Sequence, residues 1–306
     1  MIEPRYKGAL LASISASIGG TTVVLTRYLM PDSDPFSLPG VRYGIGALVL
    51  LIILYSLKKS KPLELIDWRP IIVLSFVFYV AFPWSFAAGL EYTTAARGAI
   101  VFTAQPVITL IVGSLMGKEK ITLYKVLAIV IAVTGISITL SDDMNELAPN
   151  ALLGDFLMFL AAFCNSLYVL NAGKMIEKYG SLTFTAWPMF IGSSMMLILA
   201  IFFGQPFSGS LSFDTTQWMI LLILAIPGAA LMVSLFMSSI NMSTPTGITM
   251  TVGFNPLTAI ILGAIILSEP VSSKILFGFF CVLAAVVLAN YENCLLYTSP
   301  SPRDRG

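Results

Sequence analysis

EYTTAARGAIVFTAQPVITLIVGSLMGKE, from Glu91 to Glu119, decides the fold, because it returns, shifted by 150 positions without a gap, as NMSTPTGITMTVGFNPLTAIILGAIILSE from Asn241 to Glu269. Each copy opens on small polar residues (Thr93 and Thr94; Ser243 and Thr244) and then runs through a mostly apolar segment. An amide followed by proline stands near each middle, Gln105-Pro106 and Asn255-Pro256. Seven residues after each proline comes a glycine (Gly113, Gly263), and six after that a glutamate (Glu119, Glu269). Identity between the copies is near chance; the ordered set of special residues at matched spacing points to two related halves.

Working outward, 57% of the 306 residues are apolar and only 11% are charged, with a mean hydropathy of +0.89. A soluble domain carries roughly 25% charge to coat its surface. The intervals Ile71–Leu90, Gly98–Gly117, Val126–Ser141 and Thr215–Ser268 hold no charge at all, long enough as helices to cross a hydrocarbon core of ~30 Å. The composition implies an all-α polytopic membrane protein in a lipid bilayer.

The net charge of +1 and the lack of a basic patch argue against nucleic acid as a partner. Histidine is absent, which removes the commonest metal ligand and proton shuttle. Cys164 and Cys281 fall inside expected spans and read as small hydrophobes. No zinc spacing, Walker lysine loop or nucleophile–base pair is visible, so neither enzyme, metal site nor cofactor is expected.

Ten spans fit, at about 7–29, 36–57, 70–90, 95–117, 122–140, 152–174, 182–203, 215–238, 244–267 and 271–291. Breakers such as Pro31, Pro35, Pro62, Pro70, Pro149 and the Gly204–Gly209 stretch separate them. The first span reads as a retained helix rather than a cleaved leader. Two five-helix repeats follow, residues 1–143 and 151–293. Cys294–Asp304 reads CLLYTSPSPRD, which in one codon choice resembles the transposase adaptor used in sequencing libraries. Residues 294–306 are therefore read as non-native and left out of the fold.

Lysine and arginine in the short loops set the orientation. With the N-terminus in the cytoplasm, that side receives Arg5, Lys7, Lys58, Lys59, Lys61, Arg69, Lys118, Lys120, Lys125, Lys174 and Lys178, against Arg27, Arg97 and Lys274 opposite, a bias of 11 to 3. Both termini are then cytoplasmic, in an inner (plasma) membrane. An odd number of helices per half inverts the second half relative to the first, as in many secondary transporters.

Polar groups inside lipid are costly and face a bundle interior or wet cavity. In the ninth span Thr244, Gly247, Thr251, Asn255 and Thr258 form one helical stripe. The fourth span has a thinner one in Thr94, Val101, Gln105 and Thr109. Ser13, Ser17, Gly20 and Thr21 in the first, Asn165 and Tyr168 in the sixth, and Ser234, Ser238 and Asn241 in the eighth are further candidates. Tyr79, Trp84 and Phe86 offer aromatic surface to an organic solute. Small hydroxylated residues also serve simply to pack helices. Pro106 and Pro256 each break a backbone hydrogen bond and kink their helix beside an amide. Arg42, alone inside the second span, reads as a snorkelling or structural arginine at a helix end or lipid phosphate. Glu119 and Glu269 read as caps anchoring loops, and Asp142, Asp143 and Glu146 as a solvated turn. No carboxylate stands in the central third of a span, so no buried proton relay is visible in the sequence.

Two segments, AAGLEYTTAARGAIVFTAQPVITLIVGSLMGKEKIT and SSINMSTPTGITMTVGFNPLTAIILGAIILSEPVS, with Arg42 in PGVRYGIGALVL, resemble the drug/metabolite transporter superfamily, specifically its EamA-type ten-helix permeases. The resemblance covers residues 7–291. It implies a central cavity lined by helices 1, 3, 4, 6, 8 and 9, alternating access, and transport, commonly export, of amino acids or other small-molecule metabolites. Receptor or scaffold roles and uptake are the alternatives. Arg97 and Glu91 depart from the milder residues usual at the start of helix 4; they read as a cavity-mouth pair or a surface pair.

Overall fold

The computed structural model describes residues 4–58, 60–119, 121–141, 150–207, 209–242, 248 and 250–295, the side chains of 4–6, 250, 252, 286, 287 and 289–295 excepted. Ser243, Thr244, Gly247, Lys59, Lys120, Asp142, Asp143, Glu146, Pro149 and the tail beyond Leu295 lie outside the described residues. All regular structure among those described is helical. Eight segments are long and apolar enough to cross a membrane. They comprise α1 (Pro4–Leu29), α2 (Ser37–Ser56), α3 (Leu65–Tyr92), α4 (Ala95–Leu115), α5 (Leu123–Leu140), α6 (Ala151–Tyr179), α7 (Thr183–Phe203) and α8 (Thr215–Met242). Two more apolar helices follow, α9 (Phe254–Ile266) and α10 (Ser273–Leu295).

Interruptions fall where the chemistry requires them. Pro106 cannot donate to the carbonyl of Phe102, so the ladder of α4 tightens ahead of it. Thr103 and Ala104 donate to Ile100 and Val101 at 3.0 Å each, and the helix restarts at Gln105. In the second copy a 3-10 turn, Met250–Gly253, precedes α9 and its Asn255-Pro256. A π-turn widens α3 at Val77–Ala81 and α8 at Ile226–Leu231, the latter around Pro227.

The glycine–glutamate spacing also does the same local job twice. The Glu119 amide donates to the Gly113 carbonyl at 3.2 Å, and the Glu269 amide to the Gly263 carbonyl at 3.2 Å. A Cβ on Gly113 would come within 2.9 Å of the Glu119 side chain, and one on Gly263 within 3.3 Å of Glu269 Oε2. A bare backbone lets each glutamate fold over its helix end.

In the bundle α5 packs on α10, α2 on α7, α3 on α6, and α1 on both α8 and α9. At the α1–α9 crossing a Cβ on Gly20 would collide with the Asn255 carbonyl oxygen, so only glycine permits that approach. The centre is aromatic. Phe78 stacks on Tyr168 at 4.2 Å between ring centroids and on Phe82 at 5.3 Å, and Phe82 stacks on Phe102 at 5.8 Å. Many large apolar side chains point outward, among them Leu152, Phe202, Phe203 and Ile265. Such a surface suits hydrocarbon rather than water.

Candidate functional site

A cavity of about 780 Å³, open solvent at its mouth included, lies among α1, α2, α3, α4, α6, α8 and the α9 region. Phe78, Phe82, Phe86 and Phe102 supply much of the wall, and Ser15, Thr22, Thr26, Arg42, Asn165, Thr251 and Asn255 supply polar atoms. The lining therefore draws on both halves of the sequence.

Four sequence candidates reach this cavity: Phe86, Asn165, Thr251 and Asn255. The oxygens Asn165 Oδ1 and Asn255 Oδ1 are buried without a hydrogen-bond partner. Thr251 bonds back to the Ile248 carbonyl at 2.7 Å. Gln105 sits one layer behind the wall. Its Oε1 accepts from Asn165 Nδ2 at 3.4 Å and its carbonyl from Ser166 at 3.1 Å. Thr109 closes on the Gln105 carbonyl at 2.8 Å, and Thr258 on the Phe254 carbonyl at 3.2 Å. Tyr79 and Tyr168 are wholly buried behind Phe78, each with an unpartnered hydroxyl. Trp84 leaves the lining to pack on Phe36 at 5.9 Å. Ser238 bonds Ser181 at 3.1 Å and Asn241 bonds the Gly173 carbonyl at 2.9 Å, both away from the lining.

On α1 the lining face differs from the expected one. Ala12, Ser15, Gly19, Thr22 and Thr26 line the cavity, while Ser17 and Thr21 do not. Hydroxyls occupy both faces of this helix, so spacing alone does not choose between them.

Arg42 also departs from the snorkelling reading. Its side chain is buried at 5% exposure. Nε donates to the Leu224 carbonyl at 3.1 Å, Nη2 to the Gly228 carbonyl at 2.7 Å, and Nη1 to Thr26 Oγ1 at 3.4 Å. The acceptors straddle the π-turn at Pro227, where the α-helical ladder is interrupted and carbonyls can turn to a side chain. The guanidinium lies over the Tyr43 ring at 5.1 Å.

The partner of Arg97 is Asp155, not Glu91. Arg97 Nε meets both Asp155 oxygens at 3.1 and 3.0 Å, and Nη2 meets Oδ2 at 2.6 Å, with both side chains nearly fully buried. Nη2 also donates to the Leu140 carbonyl at 3.1 Å, so the pair ties α4 and α6 to the end of α5. Glu91, by contrast, is exposed.

The α3–α4 turn is held from both directions. Arg27 Nη1 donates to the Leu90 and Glu91 carbonyls at 2.6 and 2.9 Å. The Glu269 carboxylate accepts from the Ala95 amide at 3.1 and 2.9 Å and lies 4.0 Å from Arg27 Nε. A cation on a helix C-terminus and an anion on a helix N-terminus are each favourable. Glu269 is thus a cap, and Glu119 pairs with Lys125 at 3.0 Å. At the opposite end Lys178 bridges Glu64 at 2.7 Å and Asp67 at 2.6 Å, and Tyr179 donates to Asp67 at 2.5 Å.

Comparison with known proteins now bears on this arrangement. The profile of the EamA-like transporter family matches residues 6–141 and again 152–291. The chain belongs to the EamA-like transporter family. Among its relatives is the uncharacterized transporter YetK of Bacillus subtilis (strain 168), 26% identical over 291 residues, covering 94% of this chain and 88% of that one. A WAT1-related chloroplastic protein of Arabidopsis thaliana is 25% identical over 280 residues, covering 89% of this chain and 66% of the relative. One solved crystal structure superposes with a TM-score of 0.73 at 14% identity, covering 96% of this chain and 100% of the other. At that identity the likeness concerns the fold alone. Membership in this family, with eight apolar helices of spanning length, makes the chain a multi-pass membrane protein of a transporter family.

Proposed function

We propose that the protein is a secondary permease for small organic metabolites, amino acids or related compounds among them, and that it moves them outward. The observation that carries this reading is the cavity lined jointly by α1, α2, α3 and α4 of the first half and α6, α8 and the α9 region of the second. A solute held between two halves can be exposed to either side in turn when one half rocks against the other.

In this proposal α1 to α10 are ten spans, arranged as inverted five-helix repeats over residues 1–143 and 151–293. The double match of the family profile and the repeated glycine–glutamate bonds support the two-fold division. The loop bias of lysine and arginine supports an inner membrane location with both termini in the cytoplasm. Asn165, Thr251 and Asn255, joined by Ser15, Thr22, Thr26 and Arg42, contact the solute, while Pro106, Pro256, Gly113 and Gly263 shape the helices that move. Gln105, Thr109, Tyr168 and Tyr79 form the supporting layer behind that wall.

The test is counterflow in proteoliposomes preloaded with a broad panel of amino acids and related metabolites. Exchange of at least one solute is expected. Flux that runs only inward in oriented vesicles would turn the direction to uptake, and no flux across the panel would favour a receptor or scaffold.

A further inference from the structure

An arginine carries five N–H donors in a rigid plane. Those of Arg97 are met by a carboxylate and backbone carbonyls. Arg42 differs. Its three contacts, to Leu224, Gly228 and Thr26, satisfy Nε–H and one N–H on each terminal nitrogen. Two N–H groups remain without an acceptor among the described residues. The cavity that Arg42 lines contains no aspartate or glutamate, and the ion pairs among the described residues involve other cations. The charge is therefore held in place by uncharged oxygens, and no carboxylate compensates it.

Burying a cation without a counter-ion is costly, and an intramembrane charge retained in that condition marks a functional position. The fork also needs no rearrangement to receive a ligand, since the Leu224 and Gly228 carbonyls fix its plane. Within the same cavity Phe78, Phe82, Phe86 and Phe102 give an apolar wall. Beyond them Asn165 Oδ1 and Asn255 Oδ1 offer unpartnered acceptors.

We propose that Arg42 is an anion anchor, and that the cavity selects small organic solutes bearing a carboxylate. The carboxylate takes the two vacant N–H groups of Arg42, with charge-assisted hydrogen bonds of the strong class. The apolar part of the solute lies on the phenylalanine wall, and an ammonium or hydroxyl on the same solute donates to Asn165 or Asn255. Solutes with cationic groups alone are rejected by the uncompensated guanidinium. This inference rests on the cavity being the solute pathway and adds the substrate class.

The experiment measures ligand-induced shifts of thermal unfolding, with Kd from titration, on the purified full chain in dodecyl maltoside. The probes are two phenyl-bearing trios that keep, neutralise or remove the carboxylate: benzoate, benzamide and benzylamine, then phenylalanine, phenylalaninamide and phenethylamine. A carboxylate member of at least one trio is expected to bind roughly tenfold or more tighter than its amide or amine. Arg42→Gln is expected to abolish that preference, and phosphatidylglycerol added to the micelles to leave it unchanged. Amides or amines that bind as well as carboxylates would overturn the anchor yet leave a permease in place. An undiminished carboxylate preference in Arg42→Gln would overturn the assignment to Arg42. Competition by phosphatidylglycerol would make the anion a lipid headgroup and overturn the solute reading. Failure of every probe to bind would overturn the substrate class, while the counterflow panel judges transport separately. Should Arg42→Gln not fold, the wild-type trios alone decide.

Discussion

Replacing Asp155 by leucine removes the carboxylate that meets Arg97 through Nε at 3.1 and 3.0 Å and Nη2 at 2.6 Å. The guanidinium, 2% exposed in its side chain, then retains the carbonyls of Leu140 and Thr139 at 3.1 and 3.5 Å among its acceptors. Removing one partner of a buried ion pair costs roughly 3–5 kcal/mol because the other charge stays buried. Two backbone carbonyls that still hold the cation place the expected loss at the lower end, about 3 kcal/mol. For a chain of 306 residues that corresponds to roughly 5 °C in the unfolding midpoint. Arg97→Met should cost a similar amount, since Asp155 would keep only Thr93 Oγ1 at 3.3 Å. The double variant Arg97→Met/Asp155→Leu buries no charge and should be more stable than either single one. A thiol-reactive dye can report unfolding, because Cys164 is a free, buried thiol. Single variants within about 0.5 kcal/mol of wild type, or strictly additive losses in the double, would refute the reasoning.

Three further outcomes are expected. Burial holds the Glu269 carboxyl above the usual carboxylate range, although the Ala95 amide and Arg27 pull it down. A carboxyl raised on folding contributes stability that is present below its unfolded pKa and lost as pH rises through its folded one. The wild-type unfolding midpoint relative to Glu269→Gln should therefore fall as pH rises above the ordinary glutamate pKa of about 4.3 and level off above the raised folded one; a midpoint difference that rises with pH would contradict this. Gly20→Val should prevent α1 from seating on the Asn255 carbonyl, costing roughly 1–3 kcal/mol or more in thermal unfolding, and an unchanged midpoint would show a looser crossing. Tyr168→Phe removes a buried hydroxyl that has no partner and keeps the stack on Phe78, so stability should hold or rise; a loss beyond about 1 kcal/mol would mean the hydroxyl is satisfied in the membrane.

The spans were legible because hydropathy and length are properties of contiguous residues. The helix breaks beside Pro106 and Pro256 were legible for the same reason, since a missing N–H acts within one turn. The exposed face of α1 was not, because Ser17 and Thr21 differ from Ser15 and Thr22 only by a fraction of a turn and both sets are hydroxylated. Arg42 was visible as a lone charge, yet its backbone acceptors lie 182 and 186 positions away, before and within a π-turn that only assembly reveals. Asp155 went unremarked as one charge near the start of an apolar helix. Its partner Arg97 stands 58 positions earlier, and no local spacing connects them.

Passage of solute through the cavity between the halves is tested by flux through Asn255→Leu. Asn255 lines the cavity and its Oδ1 has no hydrogen-bond partner, so the exchange removes a solute contact without breaking a side-chain bond at that atom. In proteoliposomes the wild type should exchange a panel solute, and Asn255→Leu should lose roughly tenfold or more of that flux with its unfolding midpoint kept. Equal flux in the two proteins, or none from the wild type, would contradict the account.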